Sequence, residues 1–169
     1  MNFLAGRKPA TPSGVFALQI ELGSFKCGQT VLGARPEQSE CYANSFDPKG
    51  AAKFDDAGVE LGAEDNVLIS AFITLDNFTG SFSKNGSMIS ISTETTPDEI
   101  ISQFGPPYWT DNTDEETILF YEFQKGRIEL QFEFPDKRRL GFVTLSREGV
   151  LSKSDQRKAY GVSKEWPPK

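Results

Sequence analysis

The sequence contains no histidine. That removes the side chain that most often moves protons near neutral pH and most often ligates transition metals, so residue inventory alone names no reaction. Cysteine is scarce as well, with Cys27 and Cys41 the only two. Two thiols can pair but do not make a disulfide framework, and buried free cysteines are the expectation for both. No apolar run approaches the roughly 20 residues of a membrane-crossing helix; the stretch from Leu68 to Leu75 is already broken by Ser70 and Thr74. Met1 to Ala10 place Arg7 and Lys8 after a short apolar patch. A secretory signal has the opposite order, which implies a cytoplasmic protein with no membrane partner. Glycine-rich phosphate loops are missing too, since Gly28, Gly33 and Gly105 stand singly at turns.

Positive charge is absent from a whole section of the chain. Residues 85–124 hold eight Asp and Glu and not one Lys or Arg, whereas residues 125–169 hold eleven Lys and Arg against six acids. The densest acidic part is Asp111, Asp114, Glu115 and Glu116. Such a run suits a cationic partner and repels a nucleic-acid backbone. The alternative is a solvated loop, with the basic C-terminal segment folded back to neutralise part of it. Pro107-Tyr108-Trp109 immediately precedes the run, so two large rings stand beside four carboxylates, a mix of anchor and charge that suits a partner site. Packing of both rings beneath the loop as core is the competing arrangement. Tyr108, Trp109, Asp111, Asp114, Glu115 and Glu116 are therefore the partner-binding candidates.

No catalytic, cofactor-binding or metal-ligating set emerges. Asp98 and Glu99, like Asp55 and Asp56, are neighbours that do not face one another, and the first two are explained by a helix start. The oxygen-rich run from Asp111 to Glu116 lacks the ligand spacing and central glycine of a helix-loop-helix calcium site.

The chain's local patterns predict an α+β fold: antiparallel sheet with short helices packed on one face. Val15 to Leu22 alternates, with Phe16, Leu18, Ile20 and Leu22 on the core side. Asn85-Gly86 marks a hairpin turn followed by an alternating strand from Met88 to Ser92. Thr96-Pro97-Asp98-Glu99 is a capping box, Ile100, Ile101 and Phe104 give its helix an apolar face, and Gly105-Pro106-Pro107 ends it. Ile118 to Gln124, Arg127 to Phe134 and Leu140 to Ser146 read as a three-strand meander. In its middle strand Ile128, Leu130, Phe132 and Phe134 share the core face, opposite Arg127, Glu129, Gln131 and Glu133. Ser154 to Gly161 reads as a short terminal helix capped at each end.

The organisation expected is an N-terminal tail, 1–13, and one domain, 14–168. Within it Gly58-Val59-Glu60-Leu61 and Leu68 to Leu75 echo Gly126-Arg127-Ile128-Glu129-Leu130 and Leu140 to Leu145. That echo suggests two tandem units, 14–80 and 81–150, with a C-terminal helix at 154–161. Pro36 to Tyr42 would then hold the first unit's helix, with Cys41 and Tyr42 on its buried side.

Thr96 to Pro107, the acidic loop, Tyr121-Glu122-Phe123, Ile128 to Phe134, Tyr160-Gly161-Val162 and Trp166-Pro167-Pro168 together resemble a group of small bacterial immunity proteins. That resemblance, spanning about residues 88–168, implies a cytoplasmic protein that neutralises a cognate toxin, such as a type VI secretion effector, by stoichiometric binding. The partner would be a toxin with a basic surface, met without catalysis or cofactor. The helix ending in Gly-Pro on an antiparallel sheet also resembles, at the level of fold, the beta-lactamase inhibitor protein and outer-membrane assembly lipoproteins. On that likeness the alternative role is a non-enzymatic adaptor or envelope-assembly module.

Overall fold

The computed structural model describes residues 17–169. The expected tail at 1–13 and the start of the Val15 to Leu22 strand lie outside the described residues. Twelve strands and two α-helices follow in this order: β1 Gln19–Glu21, β2 Lys26–Cys27, β3 Thr30–Val31, β4 Ala51–Phe54, β5 Val59–Glu64, β6 Val67–Thr74, β7 Ser81–Lys84, β8 Ser87–Ile89, α1 Pro97–Phe104, β9 Trp109–Asn112, β10 Thr117–Phe123, β11 Ile128–Phe134, β12 Phe142–Arg147 and α2 Ser154–Ala159. They form an α+β fold with two sheets, ordered β3-β2-β1-β7-β8 and β4-β5-β6-β12-β11-β10-β9. Every pairing is antiparallel except that of β1 with β7.

Local chemistry accounts for the elements that read clearly. In α1 the Thr96 hydroxyl accepts from the Glu99 amide, and the Glu99 carboxylate accepts from the Thr96 amide at 2.8 Å, so the capping box is complete. Gly105 ends the helix at φ 80°, a conformation that favours glycine, and its amide returns to the Ile101 carbonyl. An eight-residue helix needs packing to persist. Ile100 is fully buried, and Phe104 lies 5.1 Å from the Phe132 ring and 5.9 Å from the Tyr121 ring.

Both sheets and α1 contribute to one continuous core. Leu18, next to β1, and Ile20 and Phe82 of the five-stranded sheet join Leu61, Ile73, Leu130 and Leu145 of the seven-stranded one and Ile100 of α1 in a single cluster. The strands that echo each other in sequence meet at the β6–β12 pairing, where Ile73 faces Val143 and Ala71 faces Leu145.

Three local expectations are corrected. Pro36 to Tyr42 is a series of turns, not a helix, with Glu40 bonded to Glu37 and Ser45 to Tyr42 through i to i+3 backbone contacts. Glu40 turns its carboxylate to the Gln29 amide at 2.6 Å, while the Tyr42 hydroxyl reaches the Cys27 carbonyl at 2.7 Å, so both ends are tied to the β2–β3 hairpin. Cys41 consequently points outward and is exposed, whereas Cys27 is buried; both are free thiols. The acidic stretch expected as a loop includes a strand, β9, which pairs with β10 from Asn112–Thr117 to Trp109–Phe120.

Candidate recognition surface

Strand register fixes which side chains share the outer face of the seven-stranded sheet. One row across it runs Asp111, Ile118, Glu133, Phe142 and Thr74. The next runs Trp109, Phe120, Gln131, Thr144, Phe72 and Glu60. A third runs Glu122, Glu129, Ser146 and Ser70. The opposite, inner face belongs to the core.

The chain after β12 folds back over the β9–β11 side of this outer face. Ile118, Phe120 and Leu151 form a second apolar cluster, closed by Tyr108, Trp109, Val150, Tyr160, Val162 and Trp166. The Trp109 indole donates to the Tyr160 carbonyl at 3.0 Å, and the Tyr108 hydroxyl donates to the Glu165 carbonyl at 2.9 Å. The Tyr108 and Trp166 rings meet edge to face at 5.8 Å, with the Arg157 guanidinium 4.7 Å from the Trp166 ring centre. Of the two arrangements the sequence left open for Tyr108 and Trp109, the structure shows packing within the chain. The cover is the C-terminal segment rather than the acidic loop, because the segment's own apolar residues need a face to bury.

That covering segment seals a pair of carboxyl groups, Glu122 and Glu129, of which strand alternation in the sequence places Glu129 on the face away from the apolar residues. Glu129 is fully buried; it accepts from the Val150 amide at 2.9 Å, the Leu151 amide at 2.8 Å and the Gln131 side-chain amide. Gly149 makes the approach feasible, since a Cβ there would lie 2.3 Å from the Glu129 carboxyl carbon. Directly across the strands, both carboxyl oxygens of Glu122 are buried and face the Glu129 carboxyl. Burial, reinforced by the adjacent Glu129 carboxyl and opposed by Arg157, pushes Glu122 up to about 10. The direction of that shift favours the neutral form of Glu122 at pH 7. The signal for this cover lay in β10, whose Ile118-Leu119-Phe120-Tyr121 is apolar on both faces, a pattern of strands buried on both sides.

The acidic candidates lie at the sheet's edge. Asp111 sits in β9, and Asp114 and Glu115 are exposed at the β9–β10 turn, held by the Thr113 hydroxyl accepting from the Glu115 and Glu116 amides. Among the described residues the ion pairs are Lys53–Glu60, Arg139–Glu94 and Lys169–Glu165, none of which uses Asp111, Asp114, Glu115 or Glu116. The basic segment folds over the neighbouring face without forming an ion pair with these carboxylates. Among the described residues no three His, Cys, Asp or Glu side chains gather to hold a metal ion, and no helix is long and apolar enough to cross a membrane.

Comparisons with known proteins are sparse. No protein-family model and no curated protein matches the chain. Among solved structures the chain is similar to a DUF4309 family protein, YjgB, from Bacillus subtilis, at 18% identity and a TM-score of 0.37, over 67% of this chain and 71% of that one.

Proposed function

We propose that this protein is an immunity protein that neutralises a cognate bacterial toxin by direct, stoichiometric binding and occlusion, without chemistry of its own. The observation that carries the reading is the acidic edge: Asp111, Asp114, Glu115 and Glu116 on a β9–β10 hairpin, with no ion pair to the basic segment packed beside them. Unneutralised carboxylates on an exposed edge create a field that accelerates encounter with a basic protein surface and discourages nucleic acid. The resemblance of residues 88–168 to bacterial immunity proteins supports the same role and is in keeping with a cytoplasmic location. In this reading the hairpin sets the rate and orientation of encounter, while the contact area that holds the complex lies elsewhere, since Tyr108 and Trp109 are already engaged within the chain.

The test is capture of the product of the adjacent gene by the tagged chain, with a growth assay in which that product is expressed alone or together with this protein. Complex formation with rescue supports the role, and neither complex nor rescue overturns it. A variant with all four acids changed to lysine should associate more slowly and with a flatter salt dependence. An unchanged association rate removes the steering mechanism.

A further inference from the structure

The C-terminal segment covers only the β9–β11 side of the outer face. We infer that the uncovered side, centred on Phe72 of β6 and Phe142 of β12, receives an arginine-bearing loop of the protein partner; this rests on the binding role proposed above. Phe72 is 38% exposed, and among the described residues it is the large apolar side chain of the seven-stranded sheet that solvent reaches most. Its ring stacks on Phe142 with centres 5.3 Å apart and planes 25° apart, giving a flat aromatic platform rather than a lone exposed ring.

The residues around the platform specify what it fits. Thr144 and Thr74 are the cross-strand neighbours of Phe72 and Phe142, and Glu60 and Glu133 are the carboxylates next in each row. Glu60 is satisfied by Lys53 at 3.1 Å. Glu133 has no ion-pair partner among the described residues, although it is half-buried and near the Glu116 carboxylate, and burial followed by Glu116 pushes its carboxyl above the usual range. An aromatic platform beside an uncompensated carboxylate calls for a cation that is flat and weakly hydrated. Guanidinium meets both demands: its face lies on the rings and its fork of N–H donors reaches the carboxylate. An ammonium group would lose more hydration there and match the carboxylate less well. The Glu133 row continues through Ile118 to Asp111, but Ile118 is buried beneath the C-terminal segment, so the platform is bounded on that side by the cover and Glu133 is the carboxylate that faces it.

Titration of the isotope-labelled protein with the tripeptide acetyl-Gly-Arg-Gly-amide, followed by amide chemical shifts, tests the platform without any partner protein. The same peptide with citrulline, equal in shape but uncharged, is the control. Expected are saturable, salt-sensitive shifts at Phe72, Phe142 and Thr144 with the arginine peptide and none with the citrulline peptide. Phe72→Ala and Glu133→Gln should each weaken binding by about two- to fivefold, and the remote Met88→Ala should not. Shifts confined to other residues, equal response to citrulline, or unchanged binding by Phe72→Ala overturn the inference. In capture of the adjacent gene's product, Thr144→Arg should abolish the complex while leaving the melting temperature unchanged. Capture that survives Thr144→Arg overturns the platform and leaves the binding role standing. If the wild-type chain captures nothing, the binding role falls and the peptide titration alone decides the platform.

Discussion

Replacing Glu122 by glutamine should stabilise the protein, and by an amount that grows with pH. The ordinary pKa of this side chain is 4.5 and its folded-state value is about 10. Below pH 4.5 the carboxyl is protonated in both folded and unfolded chains and contributes no pH dependence. Between 4.5 and 10 the unfolded chain releases the proton and the folded one keeps it, so stability falls as pH rises, by about 1.4 kcal/mol per unit. At pH 7 the accumulated loss is about 3 kcal/mol. Glutamine keeps the shape and a donor toward Glu129 and has no proton to lose. Urea unfolding of wild type and Glu122→Gln, followed by tryptophan fluorescence at pH 5, 6, 7 and 8, should give nearly equal stabilities at the acid end. The gap should then widen in favour of glutamine, while every other titrating group cancels in the difference. A gap that stays constant with pH, or a glutamine variant that is less stable at pH 8, would refute the account of Glu122 as a buried neutral acid.

Three further outcomes follow from the same structure. Thr96→Ala removes the N-cap acceptor of α1 and should cost about 1 kcal/mol, read as a shift in the urea midpoint at unchanged slope. Gly149→Ala forces a methyl group into the Glu129 carboxyl and should destabilise the chain by about 1–3 kcal/mol, with increased hydrogen exchange at the Val150 and Leu151 amides. In the native protein Cys41 should react with a disulfide reagent within minutes. Cys27, buried and with its thiol pushed up to about 12 by burial and by Glu40, should react only on unfolding.

Much of the scaffold was legible because it is written locally. The Thr96 to Gly105 helix, the Asn85-Gly86 hairpin and the three-strand meander rest on caps, turn residues and alternation that need no distant information. Strand β9 was not, because Asp111 and Asn112 are poor strand formers and offset Trp109 and Thr110 in so short a run; it is a strand through its backbone pairing with β10. Pro36 to Tyr42 misled because Glu40 and Tyr42 find partners on β2 and β3 that no helical pattern reveals. The candidate acids were locatable as a run, but whether the basic segment neutralised them depended on a fold-back that local sequence does not encode. Alternation placed Glu129 and Gln131 opposite the core face correctly, yet which of two faces a later segment covers is a tertiary fact. The Phe72–Phe142 platform left no local trace at all, since its halves belong to strands far apart in the chain.

The β6–β12 pairing also orders events in time. Residues 70–74 of β6 hydrogen-bond to residues 142–146 of β12, the last strand of the sheet. While the chain is being synthesised, β4, β5 and β6 can assemble as a meander whose β6 edge stays open until β12 has emerged. That edge has unpaired amides and carbonyls and carries Phe72 and Ile73, a template on which another nascent chain could pair. Joining the two meanders requires closing a long loop before their contacts form, which slows folding. The protein is therefore most vulnerable to aggregation just before its final strand arrives.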